Sequence, residues 1–290
     1  MSFQSIEQIL KECKETNQNF YEVVQASDMK ERMVTKEQSF ETMTEIYHSM
    51  VNADASYDEK LRSNSGLVGG DGAKIDKALK ENRLLSGPLV GEIMSTAIKM
   101  AESNACMKRI VAAPTAGSCG VVPAVFLTLQ KHLHIPEQKM IEALYVVAGI
   151  GEVIATRAFV SGAEGGCQAE IGAASSMAAA GIAYLSGGDC DTIAHAASIA
   201  LKNLLGLACD PVAGLVEVPC VKRNVIGAVN ALTSADLALC GLTSAIPTDE
   251  VIDAMRSIGL SMPSSIRETG EGGLAGTPTG KRLMEKLERY

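Results

Sequence analysis

The sequence predicts a mainly α-helical protein whose helices are joined by glycine-rich loops. Hydrophobic residues make up 47% of the 290 residues, yet the chain has no Trp, only 5 Phe and only 6 Tyr. Alanine, glycine and methionine fill the apolar share instead, and this favours closely packed helices over β-sandwiches. Strand patterns are weak and isolated. We therefore expect a multi-helix fold with a large buried core.

The N-terminal part is expected to contain two polar amphipathic helices within residues 1–52, because apolar residues recur there at helical spacing. The first apolar stripe begins with Ile6, Ile9 and Leu10, and the second comprises Phe40, Met43, Tyr47 and Met50. A Gly- and Ser-rich loop, SNSGLVGGDGA, follows at 63–73. We therefore divide the chain into an N-terminal helical region (1–60) and a main domain (61–290), packed as one compact unit.

The main domain carries a succession of helix signals. One helix is expected to start after Ser86, with Pro88 in its first turn, and to run to about Cys106. Another is capped by Asp189 or Asp191 and ends at Gly206. Further helices are expected over 121–134, 136–160, 171–186, 222–240, 248–259 and 279–289.

Charge and composition exclude several classes of protein. The net charge is −8, the sequence pI is near 5.2, and no block of Lys and Arg stands out, which argues against nucleic acid or an anionic membrane as partner. The N-terminus is polar and acidic, unlike a secretory signal. The most apolar stretch, 171–187, is short for a bilayer span and rich in Ser and Ala. We expect a cytoplasmic protein without a disulfide framework.

Three of the eight cysteines lie in unusual surroundings. Cys167 occurs in GAEGGCQAEIG, and Cys209 and Cys220 stand at the two ends of CDPVAGLVEVPC. Their separations match neither zinc-ribbon nor ferredoxin spacing, so spacing alone leaves open a set of ordinary buried thiols. All three are predicted to lie in loops at helix ends, where free backbone N–H groups stabilise negative charge. Four others, Cys13, Cys106, Cys190 and Cys240, lie inside helical stretches and are interpreted as small hydrophobic residues.

A second candidate site is the loop APTAGSCG at 113–120, which precedes a predicted helix. Its hydroxyls, glycines and free N–H groups suit a carboxylate, although an ordinary N-cap turn explains the same residues. The loop SGLVGGDG (65–72) is either a surface loop or part of the same site. The late segment RETG followed by EGGLAGTPTG is glycine-rich but does not match the P-loop pattern.

These sequence motifs together resemble those of the α chains of bacterial iron–sulfur L-serine dehydratases, enzymes that do not use pyridoxal phosphate. The resemblance covers roughly residues 60–285. It implies a mainly α, multi-helix catalytic domain with Gly-rich loops around a metal-cluster site. The implied ligands of a 4Fe–4S cluster are Cys167, Cys209 and Cys220, with the fourth iron left open for substrate. The implied substrate-binding residues are Thr115, Gly117, Ser118, Ser65 and Gly66.

The resemblance further implies β-elimination of water from L-serine, giving pyruvate and ammonia. The chain lacks the SSHT-type motif that single-chain members of the family carry in a second domain, so a separate β subunit is expected. Candidates for the base that removes the α-proton are His195, Glu164 and Glu170. A structural histidine and solvated carboxylates remain the alternatives for these residues. Two other functions stay open: an L-cysteine desulfidase with the same type of cluster, and a non-catalytic Fe–S or metal-binding sensor.

Overall fold

The computed structural model describes residues 3–287, and this part of the chain folds into thirteen α-helices without any β-strand. A single isolated parallel bridge joins Cys209 to Arg267. The helices are α1 (Ile6–Thr16), α2 (Phe20–Arg32), α3 (Lys36–Ala55), α4 (Asp71–Lys80), α5 (Gly87–Ala105), α6 (Val121–Leu133), α7 (Glu137–Arg157), α8 (Gly162–Gly165), α9 (Ala173–Leu185), α10 (Cys190–Asn203), α11 (Cys220–Leu239), α12 (Thr248–Ser261) and α13 (Pro278–Leu287). The prediction of a mainly α fold is confirmed.

The N-terminal region contains three helices where two were predicted. Asn17 and Met33 adopt left-handed backbone conformations, with φ of 56° and 55°, and these residues end α1 and α2. Asn19 and Thr35 then start α2 and α3, each through a reciprocal capping box with the residue three positions later. Apolar periodicity alone misses these breaks because the stripe resumes after each short turn.

The remaining helices agree with prediction to within a few residues, except that α4 and the short α8 were not predicted. The loop predicted over 63–73 gives way at Asp71 to α4, which the sequence analysis did not identify. Asp189 caps α10 by accepting a hydrogen bond from the Thr192 N–H at 2.8 Å. The predicted helix over 279–289 corresponds to α13, and its last two predicted residues lie outside the described residues.

Helix α9 lies at the centre of the core. Every residue from Ala173 to Ala183 is buried, and α6, α7, α10 and α11 all pack against this helix. Its small side chains allow close approach: a Cβ on Gly181 would lie 2.5 Å from the Phe126 ring. The buried hydroxyls of Ser175 and Ser176 donate to carbonyls of neighbouring helices at 2.8 and 2.9 Å, so this helix carries satisfied polar groups.

The helices around α9 hold the three cysteines of interest. Cys167 precedes α9 and is joined to it by a π-helical turn, Gln168–Gly172. Cys220 is the first residue of α11, and the chain reaches Cys209 shortly after α10 ends. Packing around α9 therefore fixes the starting point of each cysteine segment. None of the helices in residues 3–287 combines the length and hydropathy that a transmembrane span requires.

Truncating a fully buried core residue should destabilise the fold strongly. Ile150 on α7 has no exposed surface, so Ile150→Ala should lower the free energy of unfolding by about 2–5 kcal/mol through lost burial and the cavity left behind. Leu260→Ala on α12, where the side chain is 60% exposed, should change it by less than about 0.5 kcal/mol. Urea unfolding measures both values, and equal losses would contradict the assigned core.

Candidate cluster and substrate site

The three cysteines singled out by the sequence lie together in one buried region. Cys167, Cys209 and Cys220 are 3%, 2% and 8% exposed, and none is in a disulfide. Burial raises the pKa of Cys167 to about 11 and that of Cys220 to about 12. Burial also raises the pKa of Cys209, and the neighbouring charges of Cys167 and Cys220 raise it further. The metal-free thiols therefore hold their protons, and a metal that binds them must displace those protons.

Gln168 fixes the position of Cys167. Its side chain is fully buried, and its amide donates to the carbonyls of Gly165 and Met255, both at 2.9 Å. Its carbonyl oxygen accepts a hydrogen bond from the Gly206 N–H at 2.9 Å. One side chain thus joins the π-helical turn after Cys167 to α12 and to the loop that leads to Cys209. π-helical turns of this kind are frequent at functional sites.

Backbone pairing with the late part of the chain holds Cys209. Its N–H donates to the Ile266 carbonyl at 2.9 Å, and its carbonyl accepts from the Glu268 N–H at 2.7 Å. The next residue, Asp210, accepts a hydrogen bond from the Leu274 N–H at 2.8 Å. The glycine-rich segment after residue 267 therefore lies against the cysteine-containing segment.

Asn224 connects Cys220 to the 113–120 loop. This fully buried side chain donates to the carbonyl of Cys220 at 3.0 Å and to that of Gly117 at 2.9 Å. Its amide oxygen accepts from the Gly120 N–H at 2.8 Å. The beginning of α11 and the loop thus share one anchor, and they are held in a fixed relation.

Arg223 is a partly buried cation beside the thiols that sequence reasoning did not single out. Its guanidinium donates to the Ala208 carbonyl at 2.6 Å and to the Asp210 carboxylate at 2.8 Å. Its positive charge also acts to lower the pKa of the Cys167 thiol, opposing the effect of burial. A basic residue in the first turn of a helix opposes the helix dipole, and its position three residues after Cys220 is the signal that could have identified it.

Glu170 lies between the loop and the cysteines. Thr115 Oγ1 donates to Glu170 Oε1 at 2.8 Å, and Cys209 Sγ donates to Glu170 Oε2 at 3.8 Å. Burial raises the pKa of this carboxyl group. The contact depends on Gly162, because a Cβ there would lie 2.7 Å from Cys209 Sγ and 2.8 Å from Glu170 Oε2.

The other predicted loop residues lie at this site or are tied to it. Ser118 is fully buried and its hydroxyl accepts from the Thr115 N–H at 3.3 Å, while Gly117 lies against the Glu170 carboxylate. Ser65 donates a hydrogen bond to the carboxylate of Glu217, within the segment that ends at Cys220. Its neighbour Gly66 has a φ of 74° and open space around it.

Two of the candidate bases lie elsewhere. His195 on α10 accepts a hydrogen bond from the Ser244 N–H at 3.3 Å and lines a cavity between α1, α10 and α12. None of the three cysteines lines that cavity. Glu164 on α8 is exposed; its backbone N–H donates to the Ser161 carbonyl at 3.2 Å, and its backbone carbonyl accepts from Arg267 at 3.4 Å. The structure therefore brings Glu170 alone of the three to the thiols.

Within residues 3–287, no group of three or more His, Cys, Asp or Glu side chains is arranged to hold a single metal ion. Ligands of an iron–sulfur cluster have a different requirement, since each thiolate binds a different iron.

Comparison with known proteins identifies the family. The family model described as serine dehydratase alpha chain matches residues 6–275. A probable L-serine dehydratase alpha chain of Bacillus subtilis is 47% identical over 98% of this chain and 95% of its own length. The L-serine dehydratase alpha chain of Peptoniphilus asaccharolyticus is 37% identical over 95% of both chains. An L-serine dehydratase of Helicobacter pylori is 37% identical over 95% of this chain and 62% of its own length. The chain therefore belongs to the serine dehydratase alpha chain family.

Proposed function

We propose that this chain is the catalytic subunit of an iron–sulfur L-serine dehydratase, which eliminates water from L-serine to give pyruvate and ammonia. The observation that carries the proposal is the position of Glu170, in contact with both Thr115 and Cys209. A carboxylate between a hydroxyl-rich loop and a set of buried thiols suits a reaction that removes a proton beside a metal site. The names of the relatives support serine as the substrate.

The donor set fits a 4Fe–4S cluster. Cys167, Cys209 and Cys220 offer three free, buried thiols, and thiolates are the preferred ligands of iron–sulfur clusters. The cation of Arg223 offsets part of the negative charge that three thiolates introduce. When bound, such a cluster supplies a Lewis acid that makes the substrate hydroxyl a better leaving group.

We assign the substrate carboxylate to the loop that contains Thr115, Gly117 and Ser118, with Ser65 and Gly66 lining the site from the neighbouring loop. The loop is already held in place, because Asn224 bonds Gly117. Hydroxyls and backbone N–H groups recognise a carboxylate without introducing a further buried charge. A rigid cradle reduces the entropy lost on substrate binding.

We assign removal of the α-proton to Glu170. The Cα–H bond breaks as the proton passes to the carboxylate, and its electron pair forms the Cα=Cβ double bond. The Cβ–O bond breaks and the hydroxyl leaves as hydroxide, which together with the abstracted proton makes up the water that is lost. The resulting aminoacrylate tautomerises to an imine, and water hydrolyses the imine to pyruvate and ammonia. Position favours Glu170 over the other two candidates, since Glu164 is exposed and His195 lines a different cavity.

A separate β subunit is part of the proposal. The Bacillus and Peptoniphilus relatives are named alpha chains, and this chain matches 62% of the length of the Helicobacter pylori relative. The remainder of that longer protein is the counterpart expected on a second chain. We therefore expect activity assays to require co-expression with the β chain encoded by the same organism.

Removing any one of the three cysteines should abolish cluster binding and pyruvate formation. After anaerobic reconstitution with iron and sulfide, Cys167→Ala, Cys209→Ala and Cys220→Ala should each lose the visible absorbance of the cluster and the response of that absorbance to L-serine. Cys240→Ala, at an exposed cysteine, should retain both. Retained cluster and activity in any of the first three variants would contradict the ligand assignment. Faster turnover of L-cysteine than of L-serine would instead favour a desulfidase.

Replacing the proposed base should slow turnover while leaving the cluster in place. We expect Glu170→Gln to lower kcat by about 10²–10⁴-fold, because the amide cannot accept the α-proton. Glu164→Gln, a matched change six residues earlier at an exposed position, should leave kcat within about twofold of the parent. Pyruvate formation measures both, and the visible spectrum checks cluster content. Equal kcat values for the two variants would remove Glu170 from this role.

A further inference from the structure

A second pair of thiols lies outside the proposed cluster site. Cys13 is buried on α1, and Cys190 is the partly exposed first residue of α10. Each of the two thiols shifts the pKa of the other, and both are free. The adjacent residues, Lys14 and Asp191, form an ion pair across the same helix contact at 3.2 Å. Packing of α1 on α10 therefore places the two thiols at one helix contact.

The surroundings of the pair distinguish its two members. Cys190 is the first residue of α10, where the free backbone N–H groups of a helix favour negative charge. The interaction with Cys13 lowers the pKa of Cys190, although burial and the carboxylates of Asp189 and Asp191 oppose this effect. The same interaction raises the pKa of Cys13. Of the two thiols, Cys190 therefore loses its proton more readily.

This arrangement is the one that thiol oxidation requires. A thiolate that solvent can reach reacts first, and a second thiol beside it resolves the product as a disulfide. Cys190 is partly exposed at a helix N-terminus, as the first role requires, and Cys13 lies across the same helix contact, as the second role requires. Neither residue contacts Cys167, Cys209 or Cys220 in any interaction described above, so the pair is chemically separate from the proposed cluster ligands.

We propose that Cys13 and Cys190 form a reversible disulfide when the protein encounters a peroxide. The Cys190 thiolate attacks one peroxide oxygen, the O–O bond breaks, and hydroxide leaves to give a sulfenic acid on Cys190. The sulfur of Cys13 then attacks the Cys190 sulfur, losing its proton as the S–O bond breaks and water leaves. In total two thiols lose two electrons and hydrogen peroxide is reduced to two waters. A small dithiol reverses the change.

The test is a thiol map of the purified protein before and after stoichiometric hydrogen peroxide, with free thiols then blocked by N-ethylmaleimide. Combined digestion with trypsin and a Glu-specific protease leaves Cys190 as the only cysteine on segment 171–202. Mass spectrometry should find this segment joined to the Cys13 peptide, and dithiothreitol should release it. Blocked Cys13 and Cys190 after peroxide treatment, or a linkage of Cys190 to any other cysteine, would overturn the proposal.

Two variants separate the roles of the pair. Cys190→Ser should abolish the linkage and leave Cys13 fully blocked by N-ethylmaleimide, whereas Cys240→Ser should behave like the parent. Cys13→Ser should stop the reaction at the sulfenic acid of Cys190, which dimedone traps as a stable adduct. Absence of that adduct in Cys13→Ser, with Cys190 still blocked as a free thiol, would show that Cys190 is not the residue attacked. The readout is chemical and does not depend on a bound cluster.

Discussion

Close packing around α9 is the constraint on which the rest of the structure depends. This helix is buried from Ala173 to Ala183, and all of these residues except Met177 and Ile182 are alanine, glycine or serine. Interiors packed in this way transmit small displacements, because few voids exist to absorb them. Helix packing around α9 therefore fixes where each cysteine-containing segment starts. Pairing with residues 266–268 completes the placement of Cys209.

Shared anchors couple the two halves of the site. Asn224 bonds both the Gly117 carbonyl and the Cys220 carbonyl, and Glu170 contacts both Thr115 and Cys209. A partly buried cation, Arg223, lies close to these buried acidic groups and pairs with Asp210. A buried charge is costly unless it is paired, so this cation offsets part of the cost of the thiolates that a metal would create. The 113–120 loop and the cysteine-containing segments are thus joined by shared hydrogen-bond partners.

The features that the sequence predicts are those set by residues close together in the chain, such as helix ends. In the main domain, α5, α7 and α10 have a proline or a capping Asp at their starts and agree with prediction to within a few residues, and the three cysteine segments are recognisable from their neighbours. The contact of Glu170 with Thr115 joins residues far apart in the chain, and no periodicity reports such a contact. His195 lies on the helix that leads to Cys209, yet in the fold it lines a cavity between α1, α10 and α12. Cys13 and Cys190 each resemble ordinary helical cysteines until the fold places them together.

The pairing of Cys209 with residues 266–268 has a consequence for biosynthesis. Cys209 takes its backbone partners from a segment made more than fifty residues later, and Asp210 takes one from Leu274. A nascent chain that has emerged only as far as α11 carries all three cysteines but lacks these partners. The buried thiol region is therefore completed late in translation, after α12 has emerged. Metal delivered earlier would meet cysteines still without their final backbone support, so we expect insertion of the proposed cluster to follow synthesis of the chain.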